Sequence, residues 1–367
     1  MNIKRNILLN PGPATTTDTV KLAQVVPDIC PRESEFGDVM EFVSKELTLF
    51  VGPLEEYTTV LFGGSGTAAV EAMISSVVGD GTILIVNNGA YGQRMCEIAE
   101  SYGISFIEFK SSPINSIDLE KLEFVVKDSK NKITHLAVVH HETTTGLLND
   151  IKSIGKICFK YNVEMLVDAM SSYAGMPINM KDMNISYLAS SSNKCIQGMA
   201  GISFVIANID SLYKIKSIKP RNLYLNLYKQ YEYFKKNYQM RFTPPVQILY
   251  ALKQAIIETK EETIEERYKR YVSCCNILWD GLKELNLERL VDEKNHSKLI
   301  TSIIEPKIYK YDFDEMHDYL YERGFTIYPG KIDSKNTFRI ANIGNINESD
   351  MKIFIDLLKK YFEMIKN

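Results

Sequence analysis

Lys194 stands in the run Ser191-Ser192-Asn193-Lys194-Cys195-Ile196-Gln197-Gly198, directly after the apolar stretch Leu188-Ala189-Ser190. An amine enclosed by small polar residues at the end of a buried strand can form a Schiff base with a carbonyl ligand. Taken alone, it also reads as an exposed loop lysine. Asp168 follows Leu166-Val167. A carboxylate in that place needs a partner to offset its desolvation, and a protonated pyridine nitrogen would serve; a helix N-cap is the plainer use. Gly63-Gly64-Ser65-Gly66-Thr67 follows Val60-Leu61-Phe62 and precedes a helical pattern. Free backbone N–H groups, two hydroxyls and a helix N-terminus would stabilise a phosphate there, although such a glycine cluster can be a simple turn. It matches neither GxxxxGK[ST] nor GxGxxG with an acidic ribose ligand, which argues against a nucleoside triphosphate or a dinucleotide.

Two further strand ends carry chemistry. Val138-Val139 leads into His140-His141-Glu142-Thr143-Thr144-Thr145-Gly146, a hydroxyl-rich turn able to hydrogen-bond a ring oxygen, or a plain polar loop. Ile85-Val86 leads into Asn87-Asn88-Gly89-Ala90-Tyr91-Gly92-Gln93-Arg94, where the Tyr91 ring could stack on a planar ligand or simply pack. A phosphate cup, a stacking ring, a hydroxyl turn, a buried acid and a lysine thus come in order at successive strand ends. One cofactor explains all five.

The elements that must position them follow from the apolar pattern. Thr59–Phe62, Ile83–Val86, Ile104–Phe109, His135–Val139, Met165–Val167, Tyr187–Ser190 and Ser203–Ile206 read as strands. Several are apolar at consecutive positions, as in a mostly parallel sheet covered on both faces. Between them Ala69, Met73, Val77 and Val78, then Met95, Ile98 and Ala99, then Ile151, Ile154 and Ile157 recur at helical spacing. Ligands of such α/β sheets bind beyond the carboxyl ends of the strands. From about Glu258 a charged helix (Lys260–Arg270), a segment with Ile300–Ile304, a helix around Asp314–Arg323, an extended piece Thr326–Tyr328 and a helix from Ser349 read as a second, smaller α/β domain.

With 45% hydrophobic and 24% charged residues in 367, the chain has material for about two packed domains. A formal charge of -3 gives no broad basic surface for nucleic acid. No apolar run approaches a membrane span, and Ile7, Leu8 and Leu9 are too few for a signal-peptide core, so a cytoplasmic protein is expected. The six cysteines form no CxxC pair and read as reduced thiols. Adjacent His140 and His141 point to opposite sides of an extended segment, so no metal site is expected.

These residues resemble the 2-aminoethylphosphonate–pyruvate transaminases of the class V aminotransferase group. The likeness is carried by Leu8-Leu9-Asn10-Pro11-Gly12-Pro13, Gly64-Ser65-Gly66, Asn88-Gly89-Ala90-Tyr91-Gly92, Glu142-Thr143-Thr144-Thr145-Gly146, Asp168-Ala169-Met170-Ser171-Ser172, Asn193-Lys194-Cys195-Ile196-Gln197-Gly198 and Phe338-Arg339-Ile340. The resemblance implies an α/β chain of aspartate-aminotransferase-like fold type I. Residues 1–14 would reach the active site, 15–257 would form a three-layer large domain, and 258–367 a smaller one. It also implies pyridoxal 5'-phosphate as cofactor. Lys194 would carry it and act as base, Asp168 would pair with the ring nitrogen, Thr143 would sit by the ring's 3-oxygen, and Tyr91 would stack. Ser65, Gly66 and Thr67 would hold the phosphate, with Thr243, in Arg241-Phe242-Thr243-Pro244-Pro245, reaching in from the partner of a homodimer. Arg339 and Asn10 would bind an amine donor and a keto acid in turn. An alanine– or serine–glyoxylate type of aminotransferase would keep every cofactor residue. A cysteine-desulfurase-like lyase would need a mobile nucleophilic cysteine, whereas Cys274-Cys275 fall in a helical run.

Overall fold

The computed structural model describes residues 3–127, 133–332 and 335–366. Seven strands form the central sheet: β1 (Tyr57–Gly63), β2 (Thr82–Asn87), β3 (Phe106–Lys110), β4 (Ile133–Val139), β5 (Glu164–Asp168), β6 (Ile185–Ser191) and β7 (Ile202–Asn208). Their order across the sheet is β1-β7-β6-β5-β4-β2-β3. All neighbours run parallel except β7, which is antiparallel to both β1 and β6.

The continuous apolar character of the strands has a direct cause in packing. Leu84, Val86, Leu136, Val138, Met165 and Val167 point into one core, and Ile83, Ile85, Ala137, Val139 and Leu166 into the other. Helices Ser34–Leu49, Ile151–Lys160 and Val246–Glu262 cover the first face, while α1 (Gly66–Val77), α2 (Ala90–Ser101) and the Leu227–Asn237 helix cover the second. Two-sided burial removes the polar alternation that a half-exposed strand would show. The result is the three-layer, mostly parallel α/β arrangement expected of fold type I.

A second sheet, in the order Ile300–Ile304, Lys335–Ala341, Tyr328–Ile332, is antiparallel throughout. It packs with helices Ile264–Glu284, Phe313–Glu322 and Glu348–Lys366 around Leu278, Ile303, Phe338 and Phe354. Ile7 and Leu9 enter this same core, because Ile7–Leu8 pairs in parallel with Phe325–Thr326. The N-terminal segment is therefore tied to the C-terminal part of the chain.

The charged helix expected over Lys260–Arg270 is two helices, Val246–Glu262 and Ile264–Glu284, broken at Thr263. Thr263 has φ +67°, and its hydroxyl accepts from the Glu266 N–H. Thr263 and Glu266 have the spacing of a capping box, a start signal inside what otherwise reads as continuous helix.

Candidate active site

The carboxyl ends of the parallel strands open into a cavity of about 220 Å³ whose lining includes Ser65, Gly66, Thr67, Tyr91, Thr143, Asp168 and Lys194. Seven of the residues named from sequence meet there. Asn10, Thr243 and Arg339 are not part of its wall.

Lys194 lies between β6 and β7 on a connection that is tightly held. Ser192 N–H donates to Ile202, Gly198 N–H donates to Ser192, and the buried Arg267, ion-paired to Glu262 at 2.7 Å, donates to the Cys195 carbonyl at 2.7 Å. The Lys194 ammonium donates to the Pro11 carbonyl at 2.7 Å. Gly12 allows that approach: its φ is +130°, and a Cβ there would fall 2.3 Å from Lys194 Nζ. Burial lowers the lysine's pKa from its ordinary value, which favours the free amine that a Schiff base requires.

Asp168 closes β5 and is buried. Its carboxylate accepts one hydrogen bond, from the Met170 N–H at 2.9 Å. Burial pushes its pKa up to about 6, against the pull of that N–H and of the charges on Arg94 and Lys194. Thr143, in the turn after β4, buries a hydroxyl that has no hydrogen-bond partner among the described residues. At the other end, Ser65 precedes α1 with its side chain making no capping bond, so the hydroxyl and the first amides of α1 remain free. A Cβ on Gly66 would lie 2.3 Å from the Met170 sulfur, so a larger residue there would have to displace that side chain.

These features are those of a seat for an aromatic cation bearing a phosphate. A buried hydroxyl without a partner among the described residues, a buried carboxylate with one N–H, and an uncapped helix N-terminus converge on the cavity. The residues present fit pyridoxal 5'-phosphate.

Comparison with known proteins decides the family. The aminotransferase class-V family matches residues 21–345. The chain belongs to the class-V aminotransferases. It is a pyridoxal-phosphate-dependent transaminase. A 2-aminoethylphosphonate–pyruvate transaminase of Bacillus cereus (strain G9842) is 42% identical over 367 residues, 98% of this chain and 99% of that protein. A bifunctional phosphonoacetaldehyde hydrolase/aminoethylphosphonate transaminase of Clostridioides difficile (strain 630) is 41% identical over 359 residues. There the match takes in 97% of this chain but only 56% of the relative. In fold, the chain is similar to the ureidoglycine–glyoxylate aminotransferase of Bacillus subtilis (TM-score 0.90, 21% identity, covering 100% of this chain and 95% of that one). It is also similar to the alanine–glyoxylate aminotransferase of Nostoc sp. (TM-score 0.89, 24% identity, 98% and 96% covered).

The remaining named residues lie outside the cavity wall. Arg339 projects from the Lys335–Ala341 strand, half-buried, with its guanidinium 4.7 Å from the Tyr328 ring centroid and bonded to the Pro329 carbonyl at 2.9 and 3.3 Å. Its charge lowers the Lys194 pKa, and Tyr91 and Glu142 act on it in turn. Asn10 is buried, donates to Pro13, and has an unpaired Oδ1. Thr243 is exposed on the loop before the Val246–Glu262 helix. Cys274 and Cys275 are buried in their helix, with thiols pushed up to about 11 and 12 by burial, so neither is a reactive thiolate.

Sequence reasoning missed Arg94 and His141 as wall residues. His141 is neutral, its imidazole well below the ordinary value through burial and bonded to Ser171 and Ser297 at 3.0 and 2.8 Å. His140, on the opposite side, bonds Ser172 at 2.9 Å. Among the described residues no group of three His, Cys, Asp or Glu side chains is placed to hold a metal. No described helix is long and apolar enough to cross a membrane.

Proposed function

We propose that this enzyme transfers the amino group of 2-aminoethylphosphonate to pyruvate, giving phosphonoacetaldehyde and L-alanine. The observation that carries the choice of substrates is the 42% identity to the Bacillus cereus transaminase along essentially the whole of both chains.

Pyridoxal phosphate, when bound, supplies a carbonyl that exchanges amines and a ring that accepts an electron pair. Lys194 would hold its aldehyde carbon, and its Nζ, whose pKa is lowered by burial, would serve as the base that moves the proton from the substrate's aminated carbon. Asp168 would keep the ring nitrogen protonated, Thr143 would donate to the ring's 3-oxygen, and Tyr91 would cover the ring face. Ser65, Gly66 and Thr67 bind the phosphate. Arg339 holds the donor's phosphonate and later the carboxylate of pyruvate. With Nε and Nη2 already turned to Pro329, its Nη1 side remains for a two-pronged grip on either anion. Asn10, with its unpaired carbonyl, sits beside the Pro11 carbonyl that holds Lys194 and takes part in seating the substrate. The donor lacks a carboxylate on the aminated carbon, so decarboxylation cannot compete.

The exposed Thr243 completes the phosphate cup of a second copy in a homodimer. Residues 1–14 serve the active site, 15–257 form the cofactor-binding domain and 258–367 the smaller domain. The enzyme acts in the cytoplasm on small amines and keto acids.

The purified protein is expected to be yellow, and borohydride should bleach it while fixing the cofactor on Lys194. A panel of donors and acceptors should give alanine from pyruvate with 2-aminoethylphosphonate. Label recovered on another lysine refutes the anchor, whereas alanine formed only from a different donor refutes the substrate.

A further inference from the structure

We propose that Arg94 is a ligand of the cofactor's phosphate, supplying the one full positive charge of a cup otherwise made of amides and hydroxyls. This rests on the pyridoxal-phosphate reading of the cavity.

Tyr91 and Arg94 are three residues apart in the first turns of α2 and so share one face of the helix. The guanidinium carbon lies 4.9 Å from the Tyr91 ring centroid, which holds the arginine by a cation–π contact. Its Nη1 stands 3.5 Å from the Thr67 hydroxyl in the first turn of α1, and both residues line the cavity. Among the described residues no carboxylate pairs with Arg94; Glu97, one turn on, accepts from Gln93 at 3.3 Å instead. A cation that faces a cavity beside an uncapped helix N-terminus, without a counter-ion, has the surroundings of an anion ligand.

The arginine's aim is fixed by the start of α2. Glu142, fully buried, accepts from the Tyr91 N–H at 3.3 Å and takes the place of an N-cap side chain. A Cβ on Gly89 would lie 2.4 Å from that carboxylate, so glycine at the cap position lets the acid in. Position also separates this arginine from Arg339, which is bound to Pro329 and Tyr328 on the second sheet, whereas Arg94 meets Thr67 of the phosphate end. Its field additionally draws the Asp168 carboxyl down, so one cation serves both the phosphate and the acid facing the ring nitrogen.

The test compares pyridoxal 5'-phosphate with pyridoxal, which lacks the phosphate. The full-length chain, freed of cofactor by dialysis, is titrated with each, and the visible absorbance of the bound form reports affinity. R94Q is expected to bind pyridoxal 5'-phosphate about 10- to 100-fold more weakly than wild type, and pyridoxal within about twofold of it. Inorganic phosphate should compete with pyridoxal 5'-phosphate on the wild-type chain more strongly than on R94Q. R94K, which keeps a point charge but loses the planar fork, should recover part of the loss, and it carries the comparison if R94Q does not fold. Undiminished affinity for pyridoxal 5'-phosphate in both variants, or equal loss toward both compounds, overturns the proposal. A wild-type chain that gains no colour with either compound overturns the cofactor reading itself.

Discussion

Around Lys194, polar groups are buried short of partners among the described residues: Thr143 has none for its hydroxyl, and Asp168 has one N–H for a whole carboxylate. Arg339, by contrast, already holds the Pro329 carbonyl and lies over Tyr328, half open to solvent. The first arrangement suits a resident ligand, because losing it leaves desolvated groups unpaired. The second suits visitors, since the cation is satisfied between one anion and the next. On the proposed roles, cofactor retention and substrate exchange fall to differently completed surroundings within one enzyme.

Asp168→Asn attacks the resident half. Asparagine keeps the shape but not the charge, and breaking a buried pair on one side costs about 3 to 5 kcal/mol. A fall in kcat of at least about 100-fold is expected, with Lys194 still labelled by borohydride; near-normal kcat would show that the ring nitrogen has no need of this acid. The same variant gives a pH signature of up to about 3 kcal/mol, from a carboxyl that titrates at about 6 in the folded cofactor-free protein against 3.8 ordinarily. Because the folded value is raised, the neutral acid stabilises fully below pH 4, and that contribution is lost as pH rises through 6. Cofactor-free wild type should therefore lose stability relative to D168N over this window in denaturant titrations, and parallel curves would contradict the burial of an unpaired acid. The smallest effect falls on the visitor half: Arg339→Ala should raise KM for pyruvate about 10- to 100-fold while the cofactor spectrum persists. If the colour goes instead, the contrast between the two surroundings collapses.

The seven central strands were legible because burial on both faces writes itself as consecutive apolar residues, as in Leu84-Ile85-Val86. The strand-end rule then pointed to Ser65, Tyr91, Thr143, Asp168 and Lys194, all of which line one cavity. Arg94 was legible only in part. It falls in the first turns of a helix, and its relation to Tyr91 requires counting three residues along that helix instead of looking just past a strand. Contacts remote in sequence left no local signal: nothing near Lys194 says that Pro11 holds its amine, or that Glu142 caps the helix bearing Tyr91. The break at Thr263 did have a signal, in Thr263 and Glu266, but it was masked by the charged helix-forming residues on either side.

The reversed strand β7 has a further consequence. Running against its neighbours, it brings its first residues to the edge where the others end, and there Gly201 accepts from the Gly64 N–H at 2.9 Å. The proposed anchor Lys194 and Gly201, beside the proposed phosphate seat, are therefore joined by one short connection, and both line the cavity. An insertion in that connection would move the anchor relative to the phosphate seat and so misfit one rigid ligand, which places its length under tighter constraint than most of its side chains.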